Sequence, residues 1–183
     1  MNLLNDINFL INIIMDDIIS AFKNHGIKTP RFTLNGLETY GRLVDIIDGD
    51  SLSIILPIYN SYFKFNVRLN GIDTSELHSN NTELKHFAEN AKNELVKLII
   101  DKKDLTKHEI QKVLENEIVI VLVKCLEFDK YGRLLANVYC FNSRTEKYDI
   151  CLSKYLLDNN FAYEYYGGKK MSETDQINTI RNE

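Results

Sequence analysis

Three short stretches concentrate opposed charge at what read as turns: DGDS at Asp48 to Ser51, GIDTSE at Gly71 to Glu76, and DKYGR at Asp129 to Arg133. If the fold brings them together, Asp50 and Asp73 offer two carboxylates to one hard cation, and the backbone carbonyl of Thr74 a third oxygen. Ligation by oxygen alone suits Ca²⁺ or Mg²⁺ and not zinc. An EF-hand is excluded, because its Gly and closing Glu are missing at their offsets from Asp48 or Asp50. Arg68 and Arg133 carry planar forks that match phosphate oxygens and stay charged at neutral pH. Glu76, close to them, could accept a proton from water or orient it for attack. A cation, two guanidiniums and one carboxylate together describe phosphodiester hydrolysis, where stabilising charge on the phosphoryl oxygens is the largest task.

Each stretch taken alone has an ordinary explanation. Asp, Gly and Asn recur in turns for backbone reasons. An Arg near a strand end is commonly solvated or half of a surface ion pair. The combination is what points to a site, and it needs elements that can assemble it.

RLVDIID and SLSIIL are strand-like and joined through DGD, which predicts a β-hairpin. In YFKFNVRLN, Phe63, Phe65, Val67 and Leu69 alternate with Lys64, Asn66 and Arg68, so a strand here carries Arg68 on its polar face. From Glu83 to Ile100, Leu84, Phe87, Ala91, Leu95 and Leu98 form one helical stripe over a core. LTKHEIQKVLEN predicts a shorter helix, capped by Thr106 with Glu109 completing a capping box. EIVIVLVKC is too apolar for a wet face and belongs centrally in a sheet. DKYGR then turns the chain into the strand LLANVYCF, and CLSKYLLDNN predicts a closing helix. After Gly167 the periodicity fades, which predicts an irregular tail. A three-strand meander, a covering helix, two strands and a closing helix fit a small barrel better than a doubly wound parallel sheet.

Ahead of Pro30, Leu4, Ile7, Ile11, Ile14 and Ile18 fall on one side of an amphipathic helix. That side predicts either packing on its own domain or a homo-oligomer or partner contact. No Lys or Arg precedes Lys23, which argues against binding to anionic lipid.

At 183 residues the chain is sized for one domain with appendages. Its 44% apolar and 26% charged residues exclude a disordered or membrane-spanning class. No run reaches the length of a membrane-crossing helix, and the start lacks a secretory signal. No membrane insertion is expected. The net charge of -4 means that a polyanion would be held by local positive groups against the overall field. Cys125, Cys140 and Cys151 are odd in number and not closely paired, so they read as free thiols, compatible with an intracellular, reducing setting. The histidines lack ligand spacing and receive no role.

IIDGDSLSI, VRLNGIDTSE, FAENAKNELVKLI and DKYGRLLANVY occur in the order and approximate spacing of the thermonuclease family, typified by staphylococcal nuclease. The sequence resembles that family from about Tyr40 to Tyr166. The resemblance implies a mainly β, α+β fold: a five-stranded OB-type barrel with helices, here with an extra N-terminal amphipathic helix. It divides the chain into a helix and linker (1–30), the barrel domain (40–166) and a tail (167–183). It also implies a calcium-dependent nuclease that cleaves DNA and RNA with little sequence preference, favours single strands and leaves 3′-phosphates. Carried onto this chain, it implies that Ca²⁺ is held by Asp50, Asp73 and the Thr74 carbonyl, with Asp48 holding water one layer further out. Arg68 and Arg133 would grip the scissile phosphate and Glu76 would act on the attacking water. Lys130 and Tyr131 would contact a terminal phosphate. Tyr166 would pack on a base, with Tyr163 or Tyr165 as the counterpart if the alignment through FAYEYYGG slips.

Departures from the family pattern are also present. Ser75 replaces a usual proline, which frees a backbone angle in the loop. LTKHEIQKVLENE looks like an insertion, and the acidic balance predicts weaker, more salt-sensitive substrate capture. The rival reading is a catalytically silent OB-type module that binds nucleic acid or protein. Retention of Asp48, Asp50, Arg68, Asp73, Glu76 and Arg133 together argues for the enzyme.

Overall fold

The computed structural model describes residues 3–181. The chain divides into two compact units, Met1–Phe32 and Thr33–Glu183. The first contains helix α1 (Leu3–Phe22), which carries the expected Ile11, Ile14 and Ile18 spacing. Among the described residues no helix is long and apolar enough to cross a membrane.

The second unit is built on β1 (Glu38–Ile46), β2 (Ser51–Ile58) and β3 (Ser61–Leu69), followed by a two-residue strand β4 (Ile72–Asp73). Helices α2 (Thr82–Ile100) and α3 (Lys107–Asn116) come next, then β5 (Val119–Phe128), β6 (Leu134–Asn142) and β7 (Lys147–Cys151). The chain ends with α4 (Leu152–Asp158), a second two-residue strand β8 (Tyr163–Glu164) and α5 (Glu173–Arg181).

β3, β2, β1, β5 and β6 pair antiparallel in that order. A parallel pairing of β3 with β6, with Val67 beside Leu134 and Leu69 beside Ala136, closes the ring into a five-stranded barrel. The expected OB-type α+β architecture is present. Each strand turns alternate residues inward. Leu43, Ile54, Val67, Val121, Val123, Leu134 and Ala136 are thereby fully buried, and Leu95 and Val96 of α2 complete the core. The capping box of α3 forms as expected: Thr106 accepts from the Glu109 N–H, and the Glu109 carboxylate accepts from the Thr106 N–H at 2.8 Å.

Several details differ from the sequence pattern. Phe63 is half exposed, although Val67 and Leu69 on the same strand face are buried. β3 reaches β6 only at residues 67–69, so its first half pairs with β2 alone, and of its aromatics Phe65 still packs on the core while Phe63 lies nearer the hairpin tip. The hairpin tip is Tyr59-Asn60, with φ of 49° and 61°, the two left-handed residues of a type I′ turn. β5 is central, between β1 and β6, yet Ile120 is exposed because a closed barrel offers each strand only one core-facing side, and Ile118 just ahead of the strand is exposed too. The segment after Gly167 is not irregular throughout: α5 docks on α2 through Arg181 and Glu83, with Gln176 buried. The two-residue strands β4 and β8 are too brief for period-2 alternation to reveal, and β7 adds a strand outside the expected elements.

All three cysteines are free, and burial pushes the Cys125 and Cys140 thiols up to about 11.

Leu134 lies at the closing seam and is fully buried, whereas Phe63 lies beyond it. Leu134→Ala is expected to lower the unfolding free energy by about 2–5 kcal/mol. Phe63→Ala should cost well under about 1 kcal/mol. Urea unfolding of the two variants beside the parent measures both.

Candidate metal and phosphate site

Backbone register assembles the site. The β1–β2 turn supplies Asp48 and Asp50, and Asp48 Oδ1 accepts the Asp50 backbone N–H at 3.1 Å. Gly49 is required between them, since a Cβ there would lie 2.7 Å from Ala91 Cβ on α2 and 2.9 Å from Thr74 Cγ2. The turn, the helix and the DTSE loop are therefore pressed together where any other residue would push them apart. Across the β2–β3 ladder Ser51 faces Arg68, which brings the guanidinium to Asp50. The parallel β3–β6 pairing begins with Val67 beside Leu134, so Arg133, one residue earlier, arrives at the same rim. The β4–β8 ladder places Tyr163 opposite Asp73.

Arg68 is the hub of these contacts. Its Nη1 donates to Asp50 Oδ2 at 2.5 Å, and its Nη2 donates to Asp73 Oδ1 at 2.5 Å and to the Ile72 carbonyl at 3.2 Å. All three side chains are buried. The remaining carboxylate oxygens are also engaged. Ser51 Oγ donates to Asp50 Oδ1 at 2.8 Å, and Tyr163 Oη donates to Asp73 Oδ2 at 2.7 Å. Lys170 Nζ bridges Asp73 Oδ2 at 3.1 Å and Glu76 Oε1 at 2.6 Å.

The two aspartates titrate in opposite directions. Burial, together with the nearby Asp48 charge, pushes the Asp50 carboxyl up to about 7, against the pull of Arg68 and Ser51. Burial acts the same way on Asp73, but hydrogen bonds from Tyr163 and Arg68 and the charge of Lys170 outweigh it and hold that carboxyl below its ordinary value. Burial and the neighbouring Asp73 drive the Tyr163 hydroxyl far above the usual tyrosine range, so it remains a donor.

At the opposite wall, Asp129 organises DKYGR. Its Oδ1 accepts the backbone N–H groups of Tyr131 and Arg133, both at 2.9 Å, and its Oδ2 accepts Arg133 Nε at 2.8 Å. The Arg133 and Lys130 cations lie over the Tyr131 ring at 5.6 and 4.9 Å from its centroid.

A cavity of about 680 Å³ is lined by Asp48, Asp50, Arg68, Asp73 and Thr74, with Glu76, Lys130, Tyr131 and Arg133 on its other walls. Tyr166 lines a smaller neighbouring cavity of about 250 Å³, shared with Tyr131 and Arg133. Tyr166 is exposed, and its ring lies against Gly71. Tyr165 borders both cavities with the Arg68 guanidinium 5.8 Å from its centroid, while Tyr163 is buried beneath Asp73. Arg68, on the strand's polar face, is buried in carboxylates rather than solvated, and the partner of Glu76 is Lys170 rather than an arginine.

The residues fit a hard cation. Every candidate donor is an oxygen, and both carboxylates lie within the span of one guanidinium. Asp48 adds a third carboxylate to the same cavity wall. Among the described residues no three His, Cys, Asp or Glu side chains gather as a metal cage. An ion here would rest on Asp50 and Asp73, with the Thr74 carbonyl and water completing the six to eight oxygens that calcium takes.

Four contributors escaped the sequence reading in these roles: Tyr163, Lys170, Asp129 and Ser75. Asp129 was legible in principle, as an Asp opening a turn four residues before an Arg. Ser75, read as loosening the loop, is buried and its Oγ donates to Gln176 Oε1 of α5 at 3.2 Å. The proline's restraint is thus replaced by a tether from a distant helix.

A family model described as "Staphylococcal nuclease homologue" matches residues 66–183, well over half of the chain. The chain belongs to that family. The match begins inside β3, so Asp48 and Asp50 precede it and join the site through the barrel's register. The chain is also 32% identical over 112 residues to "Uncharacterized protein MJ1439" of Methanocaldococcus jannaschii. That match covers 57% of this chain and 50% of the relative, so the chain spans about half the length of the curated relative it matches.

Removing Arg68 leaves two buried carboxylates without their shared cation. Arg68→Ala is therefore expected to cost about 3–5 kcal/mol of stability in chelator. Lys130→Ala, at an exposed position, should change it by less than about 0.5 kcal/mol. Denaturant unfolding of both variants checks the contrast.

Proposed function

We propose that this protein is a calcium-dependent nuclease that hydrolyses phosphodiester bonds of DNA and RNA with little sequence preference, favouring single strands and leaving 3′-phosphate ends. The observation that carries this reading is that Arg68 joins Asp50 and Asp73 in one cavity with Glu76 and Arg133 on its walls. Family membership supports nuclease or nucleic-acid-binding chemistry in general, and calcium dependence is the part that the donor set adds.

Calcium, when bound, would polarise the phosphoryl oxygen and lower the barrier to attack. Asp50, Asp73 and the Thr74 carbonyl would hold it, with Asp48 ordering water beside it. Arg133, aimed by Asp129, and Arg68 would grip the non-bridging oxygens and stabilise the charge that grows on them. Glu76 would take a proton from the attacking water as its oxygen bonds to phosphorus. The bond from phosphorus to the 5′ oxygen breaks, and that oxygen is protonated from solvent. Lys130 and Tyr131 would receive a terminal phosphate, and Tyr166 would stack on a base, which would favour unpaired strands.

Purified protein is expected to digest single-stranded DNA in calcium and to stop in chelator. Arg68→Ala and Arg133→Ala should each lower kcat by about 100-fold or more. Digestion at subsaturating DNA should also fall steeply between low and physiological salt, because the net charge of -4 leaves capture to local cations. Binding of DNA without any cleavage in calcium would favour the silent OB-type module instead.

A further inference from the structure

Lys170 occupies an unusual place. Its ammonium is shared between the buried Asp73 carboxylate and the exposed Glu76 carboxylate, so it spans the inner and outer parts of the same cavity. The backbone that delivers it is specialised. Gly167 and Gly168 lie at φ of 97° and 94°, a left-handed pair that turns the chain back toward the DTSE loop after the β8 pairing. Beyond Lys170, α5 is tied to that loop by Gln176 to Ser75, and to the start of α2 by Glu173 to Asn81 and Arg181 to Glu83. A strap fixed at both ends thus holds one cation against the carboxylates.

We infer that Lys170 is a built-in counter-cation that competes with the divalent ion for the Asp73 carboxylate and releases Glu76 when it is displaced. This rests on the metal-site reading above and adds a regulating residue to it. The physical argument is one of shared oxygens. Asp73 Oδ2 already takes Tyr163 and Lys170, and Oδ1 takes Arg68. An ion bonded to that carboxylate would sit within about 7 Å of Nζ, given calcium–oxygen bonds of about 2.4 Å. That separation is inside the screening length of about 10 Å at 0.1 M salt, so the two positive centres repel. Lys170 also holds the Glu76 oxygen at 2.6 Å, where a proton from water would have to arrive. The Lys170 side chain is about half exposed, at 46%, so it has room to swing into solvent without unfolding its neighbours.

Calorimetric titration of the metal-stripped full chain with CaCl₂ tests this directly, without reference to cleavage. Lys170→Gln should bind calcium about tenfold more tightly than the parent, the scale of removing one like charge at this distance in a largely aqueous mouth. Lys170→Arg, which keeps the charge, should match the parent. Lys169→Gln, which changes net charge equally, should also match it. Thermal unfolding in chelator confirms that each variant is folded. Equal calcium affinity in the parent and Lys170→Gln overturns the inference while leaving the calcium site standing. No calcium binding by either protein overturns both.

Discussion

Everything at the rim depends on one buried guanidinium. Arg68 holds Asp50 from the first hairpin and Asp73 from the loop after β3, and neither carboxylate would be tolerated in that position without a cation. Ion pairs this buried are poor sources of net stability, because desolvation consumes most of the attraction. Their value here is positional. The cluster fixes which turns meet, and it sets both carboxylates on the wall of one cavity.

The barrel supplies that convergence without dedicated contacts. Pairing Ser51 with Arg68 and Val67 with Leu134 decides where Asp50 and Arg133 emerge. A slip of one residue in either ladder would send the side chains to the opposite face. The full burial of Leu52, Val67 and Leu134 forbids such a slip. Core packing and site geometry are therefore the same constraint seen from two sides of the strands. Gly49 extends it to α2, whose Ala91 can approach the turn only because both positions are small.

Much of this was legible in the residues. Alternation along β3 put Arg68 opposite the core, and charged turns at DGD, DTSE and DKYGR marked the rim. The helical stripe through Ala91 and Leu95 located α2. What could not be read was chemistry carried by elements too short for periodicity. The two-residue β4–β8 ladder puts Tyr163 under Asp73, and nothing in FAYEYYGG distinguishes a buried donor from a stacking ring. Lys170 and Ser75 were invisible for a related reason: their partners lie 94 to 101 residues away along the chain. Phe63 failed in the other direction, since strand alternation states which face a residue takes but not whether a second layer exists there.

The C-terminal segment shows how a loop can lose one restraint and gain another. A proline between Thr74 and Glu76 would act through the unfolded chain, by narrowing its options before folding. Ser75 instead acts in the folded state, through a hydrogen bond to Gln176 that exists only when α5 is docked. The same docking carries Lys170 to Asp73 and Glu76. The loop's tether and the cation between its two carboxylates thus come from one stretch of chain. The two contacts meet the loop at neighbouring residues, Ser75 and Glu76, so the C-terminal segment both ties the loop and offsets its charge.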